Sequence, residues 1–398
     1  MEQVTLVGLG ASMATLTAEG EKALREAARI VGARRLLEAL PPDYTAQRVA
    51  AARYEDVLAA VLESPGPCAA LYSGDTGFYS GAAGLLERLA QKGIPARVVP
   101  GISSVQLLAA RLGRPWQDWK LVSAHGTGCD PVAAVCGGRP VFFLTGGKDT
   151  GPADLCARLA EAGLGDLPVT VGENLACAGE AITTGTAAQL AKRAFGPLAV
   201  LLAQPAPRAA ERTPGWPDDT FTRAEAIPMT KQAIRAQALA QLALRPGETA
   251  WDVGAGTGSV SLELAFANGG APVYAGECLP EACELIRENR RRLGGWNVHV
   301  IEGKAPAALE GLPAPDAVFI GGTRGQLEPI LSAAWQANPA ARVCITAVTV
   351  ETLAAAVAGI TALGRKAQVT QIGAAHTGEG KIHLLRAENP IFLITAHT

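Results

Sequence analysis

The sequence predicts an α/β protein of two unlike domains, the second a doubly wound sheet with an antiparallel edge. Three observations carry this. The chain has 398 residues, which favours two domains. Strand, turn and helix patterns alternate along both halves, as α/β architectures require. A glycine loop, WDVGAGTGSVSLELA (Trp251 to Ala265), begins only after some 250 residues, where a second nucleotide-type fold could start.

In the first half, seven segments read as strands: Val4 to Gly8, Cys68 to Gly74, Ala96 to Gly101, Lys120 to Gly126, Arg139 to Gly147, Pro168 to Asn174 and Pro197 to Ala203. Several end in glycine or small polar residues. Buried parallel strands that stop in such turns leave open backbone at their carboxyl ends, where α/β proteins bind ligands. Next comes PAPRAAERTPGWPDDTFTRAEA (Pro205 to Ala226), rich in proline and charge and without an apolar period. It reads as a linker, and the expected boundaries are 1–205, a linker over 206–219, and 220–398. The second half reads as ETAWDVG, PVYAGE, NVHVIEG, DAVFIGG, ARVCITA and KAQVTQIG with helices between, then a tail without helical period, KIHLLRAENPIFLITA. The halves share no loop spacing, so they are a fusion and not a duplication.

Composition narrows the function classes. A net charge of -2 argues against a nucleic-acid partner held through phosphates. The run IRENRRRL places Arg287, Arg290, Arg291 and Arg292 together, which reads first as a solvated helix face and second as a dock for an anion. None of the eight cysteines forms a C-x-x-C pair and no histidine stands at ligand spacing from them, so reduced thiols and no metal site are expected. The N-terminus lacks the pattern of a signal peptide, and no apolar run reaches the length of about 18 residues that spans a bilayer. The expectation is a cytoplasmic protein with no membrane partner.

The loop itself reads G-x-G-x-G, with Gly254, Gly256 and Gly258 separated by Ala255 and Thr257, after a strand that ends near Asp252. Glycine permits close approach of backbone to ligand, and the following helix offers unpaired N–H groups. A dinucleotide loop carries a further glycine where Ser259 stands. Glu277 closes the next strand, where a carboxylate can accept from both hydroxyls of a ribose. The set suits a nucleoside with a carboxylate tail and no pyrophosphate, which describes S-adenosylmethionine (SAM). NAD and a purely structural glycine turn are the alternatives.

The run from Met229 to Ala265, with ECLPEACELIRENRRRLG, VHVIEGKAPAAL and PDAVFIGGT, resembles the decarboxylating C15-methyltransferase domain of corrin biosynthesis, from about Phe221 onward. That resemblance implies a Rossmann-like class I methyltransferase. It assigns SAM contacts to Thr230, Asp252, the loop Gly254–Gly258, Glu277 at the ribose and Ala305 at the adenine. Lys304 departs from the family, many of whose members carry an acid there.

The first half resembles the tetrapyrrole methylases, a different SAM-binding (class III) α/β fold. VGLGASMATLT matches the loop after the first strand at Gly8, Gly10, Leu16 and Thr17, with Ala11 and Ser12 in place of Pro-Gly. SGDTGFYSG, VPGISSVQLLAARLG, SAHG, LTGGKDTGP and VGENL follow at similar intervals, and together they point to the C5-methyltransferase branch. Gly8, Gly10, Gly74, Asp75, Ser103 and Ser104 are then SAM-binding candidates. Plain readings stand beside these: Ser103 and Ser104 as helix N-caps, Asp75 as a turn residue, and His125 as a satisfied loop histidine, which is preferred over a proton acceptor.

Together the resemblances imply a bifunctional enzyme of cobalamin biosynthesis with two SAM sites per chain, acting on a polycarboxylated tetrapyrrole and assembling as a homo-oligomer. The two steps are methylation at C5 and methylation at C15 with loss of the ring-C acetate as CO2. The sequence leaves the metal content of the substrate and the order of the methylations open, and no catalytic residue is named. The rival readings are activity in the C-terminal half alone, a nucleic-acid methyltransferase and an NAD-dependent reductase.

Overall fold

A computed structural model describes residues 4–125, 128–208, 214–377 and 384–396. The chain divides into two compact units: Met1–Cys129 with Pro140–Ala160 and Gly165–Gln204, and Asp130–Arg139 with Glu161–Leu164 and Pro205–Thr398.

The first unit holds two five-stranded sheets. Strands β1 (Val4–Gly8), β2 (Arg29–Gly32), β3 (Gln47–Ala50), β4 (Cys68–Tyr72) and β5 (Ala96–Val99) form the first, all parallel, in the order β3-β2-β4-β1-β5. Its central strands are apolar on both faces because helices cover both: Val4, Leu6, Val7 and Ala70 are fully buried. The second contains β6 (Lys120–Ser123), β7 (Val141–Leu144), β8 (Pro168–Glu173), β9 (Ala181–Thr186) and β10 (Ala199–Ala203) in the order β6-β7-β10-β8-β9. Only β6 and β7 are parallel there. The sequence reading missed β2, β3 and β9. β2 has four residues, while β3 and β9 are polar edge strands with little buried surface. It also ran β4 two residues too far, because Gly74 adopts φ +68° and leaves the sheet. The final residue of the expected strand Lys120 to Gly126 lies outside the described residues.

The second unit is a seven-stranded sheet of β11 (Ala250–Val253), β12 (Val273–Glu277), β13 (Val298–Glu302), β14 (Ala317–Ile320), β15 (Arg342–Ala347), β16 (Ala367–Ile372) and, after a small hairpin of β17 (Ala375–Thr377) and β18 (Leu385–Ala387), β19 (Ile391–Ala396). The order is β13-β12-β11-β14-β15-β19-β16. The strands β11 to β15 pair parallel; β19 is antiparallel to both neighbours and lies one place in from the edge. Helix Ser259–Ala267 buries seven consecutive residues, Ser259 to Ala265, which explains why SVSLELA shows no polar stripe.

One expectation is corrected. Of the expected linker 206–219, residues 209–213 lie outside the described residues, but Trp216 is a core residue. It is 2% exposed and packs between Phe221 and Phe266, with ring centroids 6.0 and 4.8 Å away. Three charged side chains around it, Asp218, Arg235 and Glu263, are paired with one another. Arg235, fully buried, donates to Glu263 at 2.8 Å and to Asp218 at 2.8 Å, and also to the carbonyls of Thr230 and Trp216. Glu263 in turn accepts from the backbone N–H groups of Gly215 and Trp216 at 2.6 and 3.0 Å. Proline and charge signalled a linker because two of these partners, Arg235 and Glu263, lie outside the segment. Among the described residues no helix is long and apolar enough to cross a membrane, and no group of three or more metal-ligating side chains occurs.

Candidate functional site

In the second unit the strand order reverses between β11 and β14, so the helices that follow these strands leave on opposite faces. The crevice opened at their carboxyl ends is where doubly wound sheets bind ligands. A cavity of about 240 Å³ lies there, and Thr230, Asp252, Gly254, Ala255, Gly256, Glu277 and Ala305 all line it. Thr257 and Gly258 do not. Thr257 is buried, and its carbonyl accepts from the Asn289 amide at 3.0 Å. Gly258, at φ +76°, caps the helix that begins at Ser259. Gly254 is at φ +72°, and a β-carbon there would come within 2.6 Å of the Gly322 backbone. The loop after β11 therefore presses directly on the loop after β14.

Glu277 is the organising side chain. Its Oε2 accepts from Gly256 N–H at 2.9 Å, and its Oε1 accepts from Cys278 and Leu279 N–H at 2.7 and 3.0 Å. A carboxylate has about four acceptor positions, so one remains for a further donor. Asp252 is 1% exposed; its Oδ2 accepts from the Ser261 hydroxyl, and its Oδ1 is buried without a partner. That orphaned oxygen fits the ammonium of a methionine moiety, which would supply the missing donors.

Burial pushes the Asp252 carboxyl up to about 7; the nearby Glu277 charge adds to this, and the Ser261 hydroxyl and backbone oppose it. The raised value makes the ligand-free unit hold a proton that the unfolded chain gives up near 3.8. Its contribution to stability is therefore complete below about 3.8 and is lost as pH rises towards 7. Asp252→Asn removes this dependence. In urea titrations the variant is expected to match the native chain below about pH 4, to pull ahead as pH rises from there, and to exceed it at pH 8 by on the order of a few kcal/mol. Equal midpoints at pH 8 would show that the carboxyl is solvated.

Sequence reasoning missed Ile227, Pro228, Cys278, Leu279, Phe319 and the loop Gly321–Arg324, all of which line the cavity. The glycine pair after β14 was visible in FIGGT, but only the strand order shows that it faces the Gly254 loop. Arg287 pairs with Glu284 and, at 3.4 Å, with Glu302; Arg290 and Arg292 donate to the carbonyls of Val298 and Thr220. Those three guanidiniums are engaged with their own unit.

In the first unit a cavity of about 260 Å³ is walled by Gly74, Asp75, Ser103 and Ser104 from the first sheet and by His125, Thr145, Asn174 and Ala199 from the second. Asp75 accepts from Gly101 N–H at 3.1 Å and Gly77 N–H at 2.9 Å, so it shapes the loop as well as lining the cavity. Ser103 caps helix Ser104–Leu112, its N–H donating to Gln106 Oε1 at 2.8 Å. Gly8 and Gly10 are not among its lining residues. A β-carbon on Gly8 would meet Gly101 N at 2.6 Å, and Gly10 exchanges backbone hydrogen bonds with Gly74 at 3.1 and 2.9 Å. Their role is to let three backbone segments meet. His125 lines the cavity with its ring packed on Gly146. The Ala11-Ser12 departure is absorbed locally: Ser12 Oγ donates to the Ala176 carbonyl at 2.7 Å, and the Cys177 thiol to the Ala11 carbonyl at 3.3 Å.

Two α/β units, each with a glycine-lined cavity at strand carboxyl ends, define the class: a fused pair of methyltransferase domains. A family model described as tetrapyrrole (corrin/porphyrin) methylases matches residues 3–191, and one described as precorrin methyltransferase domain matches residues 219–397. A Sinorhizobium precorrin-6Y C(5,15)-methyltransferase (decarboxylating) is 35% identical over 357 residues, 87% of this chain and 85% of that protein. A probable cobalt-precorrin-6B C(15)-methyltransferase (decarboxylating) of Pyrobaculum calidifontis is 42% identical over 188 residues, 46% of this chain and 96% of that one. A crystal structure of precorrin-6Y C5,15-methyltransferase from Geobacter metallireducens is 34% identical, covering 48% of this chain and 100% of that chain with a TM-score of 0.46. The chain belongs to the decarboxylating precorrin-6Y C5,15-methyltransferase family. It is a methyltransferase of cobalamin biosynthesis with SAM as its methyl donor and a precorrin as its substrate.

Proposed function

We propose that each unit is a complete methyltransferase with its own SAM site, the first acting at C5 and the second at C15 with decarboxylation, within a cytoplasmic homo-oligomer. The observation that carries this reading is the pair of separate cavities, each walled by the glycines, acids or serines of its own sequence motif. In the second unit Glu277 holds the ribose, Asp252 the ammonium and the Gly254–Gly258 loop the backbone-facing side, with Thr230 and Ala305 at the remaining edges. In the first, Gly74, Asp75, Ser103 and Ser104 form the cofactor wall.

SAM supplies an activated methyl group, so these residues need only align it with the nucleophilic meso carbon and exclude water. At C15 the new carbon–carbon bond leaves positive charge on the macrocycle. The electron pair of the breaking bond to the acetate carboxylate neutralises that charge as CO2 leaves. The balance needs no general base. Calorimetric titration of the full chain with S-adenosylhomocysteine is expected to approach two per chain. A value of one would leave a single working site and overturn the two-site reading.

A further inference from the structure

The second cavity has two sides. The ends of β12 and β13 supply Glu277 and Ala305, the residues assigned to the nucleoside, and Lys304 stands beside Ala305. The ends of β14 and β15 lie across the switch point. From β14 comes the loop Gly321–Gly325, and from its parallel neighbour β15 comes Val348-Thr349-Val350. Here the chemistry changes. Arg324 lines the cavity and is exposed, and among the described residues it has no hydrogen bond or ion pair. Arg235, Arg287 and Arg342 in the same unit are all paired with carboxylates. The backbone at Arg324 is left-handed, φ +47°, followed by Gly325 at φ +80°. A residue with a β-carbon is disfavoured there, and such residues concentrate at functional sites. The cavity's own acids do not answer its charge, since Glu277 is taken up by three backbone N–H groups and Asp252 is buried. Just past the end of β15, Val348 and Val350 are 66% and 72% exposed, a short apolar ledge on the same end of the sheet as the β14 loop.

We propose that Arg324 anchors a peripheral carboxylate of the precorrin while the Val348–Val350 ledge carries an apolar part of its ring, which makes Arg324 a specificity-determining residue for the C15 reaction. This rests on the assignment of that reaction to the second unit. The anchored carboxylate is one that the product retains. An arginine paired with the departing acetate would stabilise its charge and oppose CO2 loss, whereas pairing with a retained group stabilises ground and transition states alike. Uniform binding of that kind lowers KM and leaves kcat alone.

The test uses the full chain with SAM and reduced precorrin. Arg324→Asn removes the charge while keeping a residue that tolerates the left-handed backbone. Loss of one charge-assisted contact is expected to raise KM for the precorrin about ten- to hundredfold. The kcat for CO2 release and the affinity for S-adenosylhomocysteine should stay unchanged. Arg324→Lys should rescue part of the KM, because a point charge replaces the fork, and raising salt should erode the native KM more than that of Arg324→Asn. An unchanged KM overturns the proposal, and so does a fall in S-adenosylhomocysteine affinity parallel to the rise in KM, which would place Arg324 at the cofactor. Native chain that releases no CO2 at all would instead overturn the assignment of the reaction.

Discussion

Glu277→Ala is expected to silence the second unit and spare the first. The substitution strips the acceptor from three backbone N–H groups, those of Gly256, Cys278 and Leu279. Each lost hydrogen bond to a charged group costs roughly 1.5–3 kcal/mol, less where water reaches the freed donor. The ribose contact is lost with them. Affinity for S-adenosylhomocysteine at this site should therefore fall by two orders of magnitude or about that. Glu277→Gln should fall part of the way, because an amide presents one acceptor oxygen and turns its NH2 towards donors on the other side. C15 methylation and CO2 release should disappear together at limiting SAM. C5 methylation should persist when the C15-methylated, decarboxylated compound is supplied directly. Product masses and labelled carboxylate provide the readout. Wild-type CO2 release by Glu277→Ala at limiting SAM would remove Glu277 from the site.

The second large effect belongs to Arg235→Ala. The guanidinium and the Glu263 carboxylate are both fully buried. Breaking such a pair from one side strands a charge and costs about 3–5 kcal/mol. For a unit of this size the melting temperature should drop by about 10 °C. The same variant releases the Thr230 and Trp216 carbonyls and the Asp218 carboxylate, so the lip of the cavity loosens and S-adenosylhomocysteine binds less tightly. The double variant Arg235→Met with Glu263→Leu removes both charges and should regain part of the loss, though the N–H groups of Gly215 and Trp216 then lack their acceptor. A drop below about 1 kcal/mol for Arg235→Ala would mean that water enters around the pair.

Local sequence revealed what local physics decides. Gly254, Gly256 and Gly258 all adopt positive φ, so their spacing was a direct record of backbone shape. Glu277 was placed by its distance from that loop at the end of the next strand. What escaped was set by partners remote in sequence. Trp216 looked like linker because the arginine and the carboxylate that hold its backbone come from positions 235 and 263. Thr145 and Asn174 join Asp75 and Ser103 at the first cavity only through the tertiary fold, which no local pattern encodes. Gly8 and Gly10 were recognised from their motif; what the motif did not show is that their backbone packs on Gly101 and Gly74, which carry the close approach of those loops. Arg324 gave no signal at all: one arginine after a glycine pair is ordinary until the strand order sets it across from Glu277.

Strand β19 has a consequence for how the second unit is made. It joins β15 to β16 inside the sheet, although β16 precedes it in the chain, and Leu393, Ile394 and Ala396 on it are buried. During translation β16 emerges with no strand to pair with and must wait, edges bare, until Ile391–Ala396 clears the ribosome. Within this unit, completion of the sheet thus waits on the last of its strands. A nascent chain stalled short of these residues would display two unpaired edges, the kind of surface that chaperones hold and that aggregates recruit.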